Sequence, residues 1–232
     1  LSVIIPAYNE ERTIRQLLQK VVEVKLINDI GKEIIVVNDC SRDGTEEIVK
    51  EYIYVHPEEK MVLLNQGKNQ GKGAAIRKGL EQVTGNYVVI QDADLEYEPE
   101  DYNILLQTFL SENLNVLYGS RFLNPKNRHS YRSFYFGGRL VTWFTNILYG
   151  QHLTDEPTCY KLFDAVFLKS LTLRCEGFEF CPEVTAKVAK HGVKIREVAI
   201  NYYPRSITEG KKIKWTDGIE ALWTLFKYRF VD

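Results

Sequence analysis

Cysteine is scarce in this 232-residue chain: Cys40, Cys159, Cys175 and Cys181 form no CxxC pair and have no histidines at zinc spacing. That excludes a zinc ribbon or a disulfide scaffold and points to free thiols in a reducing compartment. No stretch reaches the roughly 20 apolar residues that a membrane-spanning helix needs, and no charged-then-apolar segment resembles a signal peptide. An excess of one charge is also lacking, because 30 Lys and Arg face 31 Asp and Glu for a formal net charge of −1. A general nucleic-acid binder would be basic, so nucleic acid is not an expected partner. Repeats, low-complexity tracts and Pro- or Ser-rich linkers are absent. The chain opens at Leu1 already inside an apolar run, as expected of a piece of a longer protein.

What is present suits one full-sized globular domain over residues 1–232, with 44% hydrophobic and 26% charged residues. Ser2-Val3-Ile4-Ile5-Pro6 reads as a buried strand closed by proline, and Ile14, Leu17, Leu18, Val21 and Val22 recur at helical spacing. A second strand spans 33–37, a helix runs from about residue 45 to 54, and a third strand covers 61–64. Gly71-Lys72-Gly73 opens another helix, and 87–90 makes a fourth strand. Such alternation implies parallel strands with helical crossovers, an α/β Rossmann-like half in which ligands bind beyond the carboxyl ends of the strands. The polar clusters at 7–10, 38–43, 65–73 and 92–96 all follow those ends and therefore converge on one rim. The second half is less regular. Short strands are expected at 116–119, around 160–163 and over 194–200, with an aromatic-rich segment at 131–149 and helices near 182–190 and 215–228.

Asp92 and Asp94 stand two residues apart after Val88-Val89-Ile90. In extended backbone they share a face, and adjacent carboxylates repel unless a cation lies between them. Their hard oxygens suit Mg²⁺ or Mn²⁺, which also take diphosphate oxygens. The plainer reading is a solvated acidic turn. Lys72, flanked by glycines at a helix start, offers an ammonium and backbone N–H groups to phosphate, or is a tight glycine turn with an exposed lysine. The residues 67–72 fail the spacing of a Walker loop. Asp39, at the second strand tip, suits a ribose hydroxyl or a base N–H, and equally an Asx turn or helix cap.

Taken in order, Val3-Ile4-Ile5-Pro6-Ala7-Tyr8-Asn9-Glu10, Val37-Asn38-Asp39 to Gly44-Thr45, Asn69-Gln70-Gly71-Lys72-Gly73-Ala74 and Gln91-Asp92-Ala93-Asp94 resemble the signature of inverting family 2 glycosyltransferases of the GT-A fold. Gly119-Ser120-Arg121-Phe122, Asp155-Glu156-Pro157-Thr158-Cys159-Tyr160-Lys161, Gly177-Phe178-Glu179-Phe180 and Tyr203-Pro204-Arg205-Ser206 resemble its polyprenyl-phosphate branch, which includes dolichyl-phosphate mannose and glucose synthases. The resemblance implies a mostly parallel central sheet flanked by helices, with a donor half over about residues 1–120 and an acceptor half over 121–232. It implies a nucleotide-sugar donor, GDP-mannose or UDP-glucose, bound by Pro6, Ala7, Tyr8, Glu10, Asp39, Lys72, Asp92, Ala93, Asp94 and Arg205. Asp92 and Asp94 would hold the metal and diphosphate, and Arg205 would add positive charge to the leaving group. Asn38 stands where the family usually has Asp, and Cys159 where many relatives have Gly beside the acceptor site.

A lipid monophosphate acceptor is already anionic near neutral pH and needs positioning more than deprotonation. Arg121 and Arg132 suit its phosphate, since guanidinium forks match that geometry. Asp155 and Asp94 are the catalytic candidates; Asp155 is either a base or an organiser, and Glu179 a secondary candidate for the same work. Trp215, Ile219, Leu222 and Phe226 fall on one helical stripe preceded by Lys211, Lys212 and Lys214, and residues 134–149 mix aromatics with Arg139. Such stripes lie in a headgroup plane or pack on the core. The expected location is cytoplasmic, peripheral to the cytoplasmic face of a membrane. Two other readings stay open: a family 2 transferase with a saccharide acceptor, for which Asp155 would be an indispensable base, and a non-catalytic subunit retaining the fold.

Overall fold

The computed structural model describes residues 1–128, 132–205, 212 and 214–231, the side chain of residue 132 aside. Its first half follows the expected alternation: β1 (Ser2–Ala7), α1 (Ile14–Glu23), β2 (Glu33–Asn38), α2 (Thr45–Val55), β3 (Met61–Asn65), α3 (Lys72–Gln82) and β4 (Tyr87–Ile90). Ile14, Leu17, Leu18 and Val21 are the buried residues of α1, as their spacing requires. β1 and β2 are apolar on both faces because helices cover the sheet on both sides.

The second half comprises α4 (Tyr102–Ser111), β5 (Val116–Ser120), α5 (Arg132–Tyr149), β6 (Lys161–Asp164), α6 (Ala165–Ser170), α7 (Phe180–Lys190), β7 (Arg196–Ala199) and α8 (Trp215–Phe230). The reading of the sequence contained neither α4 nor α6. The strands form one seven-stranded sheet in the order β3-β2-β1-β4-β6-β5-β7. Six run in one direction; β6 is antiparallel to both β4 and β5. This is the expected α/β architecture with a mostly parallel central sheet.

The single reversed strand matters for the site. An antiparallel strand begins where its parallel neighbours end, so the irregular stretch leading into Lys161 is delivered to the rim formed by β1, β2 and β4. Three turns on that rim hold non-glycine residues in left-handed backbone: Asn9 (φ 51°), Cys40 (φ 58°) and Leu95 (φ 63°). Such conformations cost energy for a branched side chain like Leu95 and cluster where function constrains the chain.

Candidate active site at the strand tips

Asp92 and Asp94 do not continue β4 but lie in the turn after it. The shared-face argument for an extended strand therefore does not apply, and the turn itself sets their geometry. Gln91 anchors that turn. Its backbone N–H reaches Ile4 O at 2.9 Å, its Oε1 accepts the hydroxyls of Tyr102 (2.5 Å) and Tyr160 (2.6 Å), and its Nε2 donates to Asp92 O (2.9 Å). Fully buried, Gln91 ties the acidic turn to α4 and to the residue before β6. It carries no motif signal beyond its place before Asp92.

Each carboxylate meets a different cation. Lys72 Nζ lies 2.5 Å from Asp92 Oδ1, and Arg205 Nη2 lies 3.0 Å from Asp94 Oδ2. Burial works against the Lys72 ammonium, yet Asp92 beside it holds its pKa well above the usual lysine range. Burial likewise opposes charge on Asp92, but Lys72 and, further off, Arg205 pull its carboxyl below the usual range. Asp94 goes the other way, pushed up to about 7 by burial and by the charges of Asp92 and Glu96, against the pull of Arg205. The turn thus carries more negative charge than its two cations neutralise. A divalent ion fits that surplus and that oxygen donor set. Among the described residues no group of three or more His, Cys, Asp or Glu side chains is placed to hold a metal.

Arg205 also reaches Glu10 Oε2 at 3.2 Å, and Lys212 Nζ lies 2.6 Å from Glu10 Oε1 and donates to Tyr8 O. The Arg205 Nε–H is buried without an acceptor among the described residues. An orphaned buried donor on a cation marks a place for an anion. Glu96 fastens the same segment, accepting Arg205 N at 2.8 Å and the Tyr202 hydroxyl at 2.7 Å. Pro6 and Ala7 end β1, where Ala7 O accepts the Asp39 N–H at 2.8 Å, and Ala93 is buried between the two aspartates.

Two expectations for this rim need correction. Most N–H groups at the amino end of α3 are already taken: Gln70 N and Gly71 N donate to Asp39 at 2.7 Å each, Gly73 N to Gly177 O and Ala74 N to Glu176 O, which leaves that of Lys72. Lys72 is not an exposed lysine in a glycine turn but the half-buried partner of Asp92. The Asp39 carboxylate, which also accepts Gln66 Nε2 at 2.8 Å, is occupied in shaping the 66–71 loop. The Asn38 departure has a physical reason, because its amide donates to Asn65 (3.0 Å) and to Glu46 (3.3 Å), where an aspartate would repel the latter. Cys159 lies under the acidic turn, 3.6 Å from Lys72 Nζ and from Ile90 O.

On the other side of the rim, Arg121 Nε and Nη2 lie 2.7 Å from the two oxygens of Asp155, and the Arg121 backbone N–H adds a 2.9 Å bond. Asp155 is fully buried. Arg121 also lies against the Tyr202 ring, 5.1 Å from its centroid. Of the five N–H donors on its guanidinium, three remain without a partner among the described residues. Lys161, fully buried, donates to Glu156 O and Thr158 O and lies 4.0 Å over the Tyr118 ring, which folds the loop after Asp155 around its ammonium. The local pattern gave no hint of that cation. Glu179 accepts the N–H groups of Glu176 and Gly177 and shapes its own turn. The Arg132 side chain lies outside the described residues.

The helices α5 and α8 pack together, joined by Tyr149 Oη donating to Leu225 O at 2.6 Å. Thr224, Leu225 and Tyr228 are the residues α8 buries, so the stripe read from the sequence faces outward. Phe136, Leu140, Trp143 and Ile147 on α5, and Trp215, Ile219, Trp223, Phe226 and Phe230 on α8, are all exposed. All three tryptophans of the chain are among them, at 59%, 77% and 63% exposure. Lys211 lies outside the described residues, and no helix among the described residues is long and apolar enough to cross a membrane.

Comparison with known proteins identifies the family and the fold. Residues 2–172 match the model of the family described as Glycosyl transferase family 2. A dolichyl-phosphate beta-glucosyltransferase of Trichomonas vaginalis is 30% identical, over 98% of this chain and 72% of the relative. A UDP-N-acetylglucosamine–dolichyl-phosphate N-acetylglucosaminyltransferase of Methanococcus voltae is 28% identical, over 92% of this chain and 90% of its own length. Among solved structures, glucosyl-3-phosphoglycerate synthase of Mycobacterium tuberculosis with Mg²⁺ and UDP superposes with a TM-score of 0.74 at 18% identity, over 100% of this chain and 79% of that one. That likeness concerns the fold.

Proposed function

Because the chain belongs to glycosyltransferase family 2 and is a glycosyltransferase, we propose that it moves a hexose from a nucleoside diphosphate sugar to a polyprenyl phosphate, with inversion. The observation that carries the acceptor is the Arg121–Asp155 pair. A saccharide hydroxyl must lose its proton to a base, but Asp155 is buried and gives both oxygens to Arg121. A phosphate monoester needs no such base, and Arg121 keeps three N–H donors for it. Asp155 is thus an organiser. The relatives' names, both dolichyl-phosphate transferases, support the same acceptor class.

On the donor side, Tyr8, Glu10 and Asp39 lie at the tips of β1 and β2, where the nucleoside would sit. Asp92 and Asp94 would hold Mg²⁺ or Mn²⁺, which when bound neutralises charge gathering on the departing diphosphate. Arg205, beside Asp94 and with an Nε–H that has no acceptor among the described residues, would add positive charge at the same place. Lys72 fixes Asp92 and keeps the turn from collapsing on its own repulsion. Of the two donors the resemblance implies, UDP-glucose is better supported, since the relatives transfer glucose or use a UDP-sugar.

A polyprenyl phosphate resides in a lipid bilayer, and the exposed α5–α8 face suits the surface of one. Its aromatic and aliphatic residues, with Arg139, Lys214, Lys227 and Arg229 exposed on the same helices, match a helix pair lying in the headgroup plane. The reaction is tested by incubating the protein with UDP-glucose, UDP-N-acetylglucosamine or GDP-mannose, Mn²⁺, and either a polyprenyl phosphate or an oligosaccharide. Sugar on the phosphate from a UDP donor supports the reading; transfer only to the saccharide would overturn it.

A further inference from the structure

We infer that Glu197 is a positioning residue for the acceptor phosphate, acting through Asp155 on Arg121. The inference rests on the proposed phosphate acceptor and assigns a role to a residue that no sequence motif singled out. Glu197 lies on the edge strand β7, paired in register with Tyr118 of β5, three residues before Arg121. Its carboxylate turns toward the loop that precedes β6. One oxygen accepts the Thr154 N–H at 2.6 Å and the Thr154 hydroxyl at 2.9 Å; the other accepts the Asp155 N–H at 2.9 Å.

Two consecutive backbone donors in an irregular loop are thus held by one side chain from another strand. The Thr154 hydroxyl also lies 2.6 Å from that of Ser120, the residue before Arg121. The end of β5 and the loop are cross-braced, and Asp155 arrives with both oxygens against the Arg121 fork. Among the described residues Glu197 forms no ion pair with lysine or arginine, so it is not one half of a surface salt bridge. Its position is electrostatically costly: burial pushes its carboxyl up, the bonds from Thr154 and Asp155 pull it back, and the Asp155 charge again pushes it up. A neutral side chain would hold the loop without that repulsion only if it could accept three N–H and O–H donors, which no uncharged residue of this length does.

The consequence is a division of kinetic effects. Loosening the Thr154–Asp155 segment lets the Arg121 fork rotate, which weakens capture of the phosphate and leaves the donor side untouched. The test compares Glu197→Gln, Glu197→Asp, Arg121→Ala and the double variant Glu197→Gln/Arg121→Ala, with KM and kcat for a polyprenyl phosphate, KM for UDP-glucose and thermal midpoints. The Gln variant is expected to raise the acceptor KM about tenfold, the size given by losing a hydrogen bond to a charged group. Its donor KM and kcat should stay within about twofold. The Asp variant, which keeps the charge, should recover part of the loss. The double variant should lose no more than Arg121→Ala alone, because residues acting as one unit are not additive.

If Arg121→Ala raises the acceptor KM while Glu197→Gln folds and leaves it unchanged, the role of Glu197 is refuted and the acceptor site stands. If Arg121→Ala also leaves it unchanged, it is the phosphate-site reading that fails. Equal losses on the donor and acceptor KM would mean that Glu197 serves general stability, and would overturn the inference too.

Discussion

Arg121 grips Asp155 side-on, with Nε and Nη2 each 2.7 Å from a different carboxylate oxygen. The pair commits both oxygens of Asp155 to Arg121 and, among the described residues, leaves the outer edge of the guanidinium without a hydrogen-bond partner. On the proposed reading, Asp155 serves as the organiser and Arg121 is the group it aims.

Asp155→Asn separates these roles. Breaking a buried ion pair by removing one partner costs about 3–5 kcal/mol, so a fall in unfolding free energy of that order is expected in urea titrations. Transfer to a polyprenyl phosphate should retain more than about a tenth of kcat at saturating acceptor, since a positioned anion needs no base. Loss of kcat by about a thousandfold in a folded variant would restore Asp155 as a base.

At the acidic turn, Asp94→Asn removes the charge of a proposed metal ligand and weakens its pairing with Arg205. UDP should raise the thermal midpoint of the unaltered protein more in the presence of Mn²⁺ than without it, as expected when ligand and metal bind the native state together. In the variant that metal-dependent increment should vanish, and kcat/KM should fall by about a hundredfold or more, equivalent to about 3 kcal/mol.

Much of the donor half was legible in the chain itself. Alternation of β-branched runs with amphipathic segments gave β1 to β4 and placed Tyr8, Asp39, Lys72 and Asp92 on one rim. α4 was equally legible in principle, since its buried Tyr102, Leu105, Leu106 and Phe109 follow helical spacing; its polar approach at 98–101 masked it. The direction of β6 was not legible, because a four-residue strand looks the same in either orientation. For the same reason the meeting of Asp155 with Arg121, 34 residues apart in sequence, could only be guessed from resemblance. Local pattern placed the start of α3 at the right residues. Nothing in Gly71-Lys72-Gly73 says that Asp39, from another strand tip, already accepts the Gln70 and Gly71 N–H groups.

Far from the rim, at the opposite ends of the strands, Glu33 gathers Ser2, Thr84, Gly85 and Lys60 around one carboxylate. Burial opposes its charge, but the bonds from Lys60, Ser2 and Thr84 hold its pKa well below the usual carboxylate range. The folded pKa lies below the unfolded one, near 4.3, so this stabilisation is complete above that value and is lost as pH falls through the acid range. Glu33→Gln should therefore cost about 1–3 kcal/mol at pH 7 and flatten the decline between about pH 5 and pH 3. Urea titrations at pH 7 and pH 3.5 check this; parallel pH curves would contradict it.

The exposed tryptophans put the proposed membrane face to a test. Trp143→Ser with Trp223→Ser should reduce co-sedimentation with anionic phospholipid vesicles by about tenfold or more, given about 1.5–3 kcal/mol for each large apolar side chain buried. Transfer to a short, water-soluble prenyl phosphate should be unchanged, as neither residue touches the site. Undiminished vesicle binding would show that another surface makes the contact.

The stereochemistry of the product tests the central claim most directly. On the proposed reading, a phosphate held by Arg121 attacks the anomeric carbon as the nucleoside diphosphate leaves, so α-linked UDP-glucose gives a β-linked glucosyl phosphate. The proton coupling at the anomeric carbon of the purified lipid product reports this by NMR. A β linkage on the polyprenyl phosphate is the predicted result; an α linkage, or glucose released to water with no lipid product, would contradict the account.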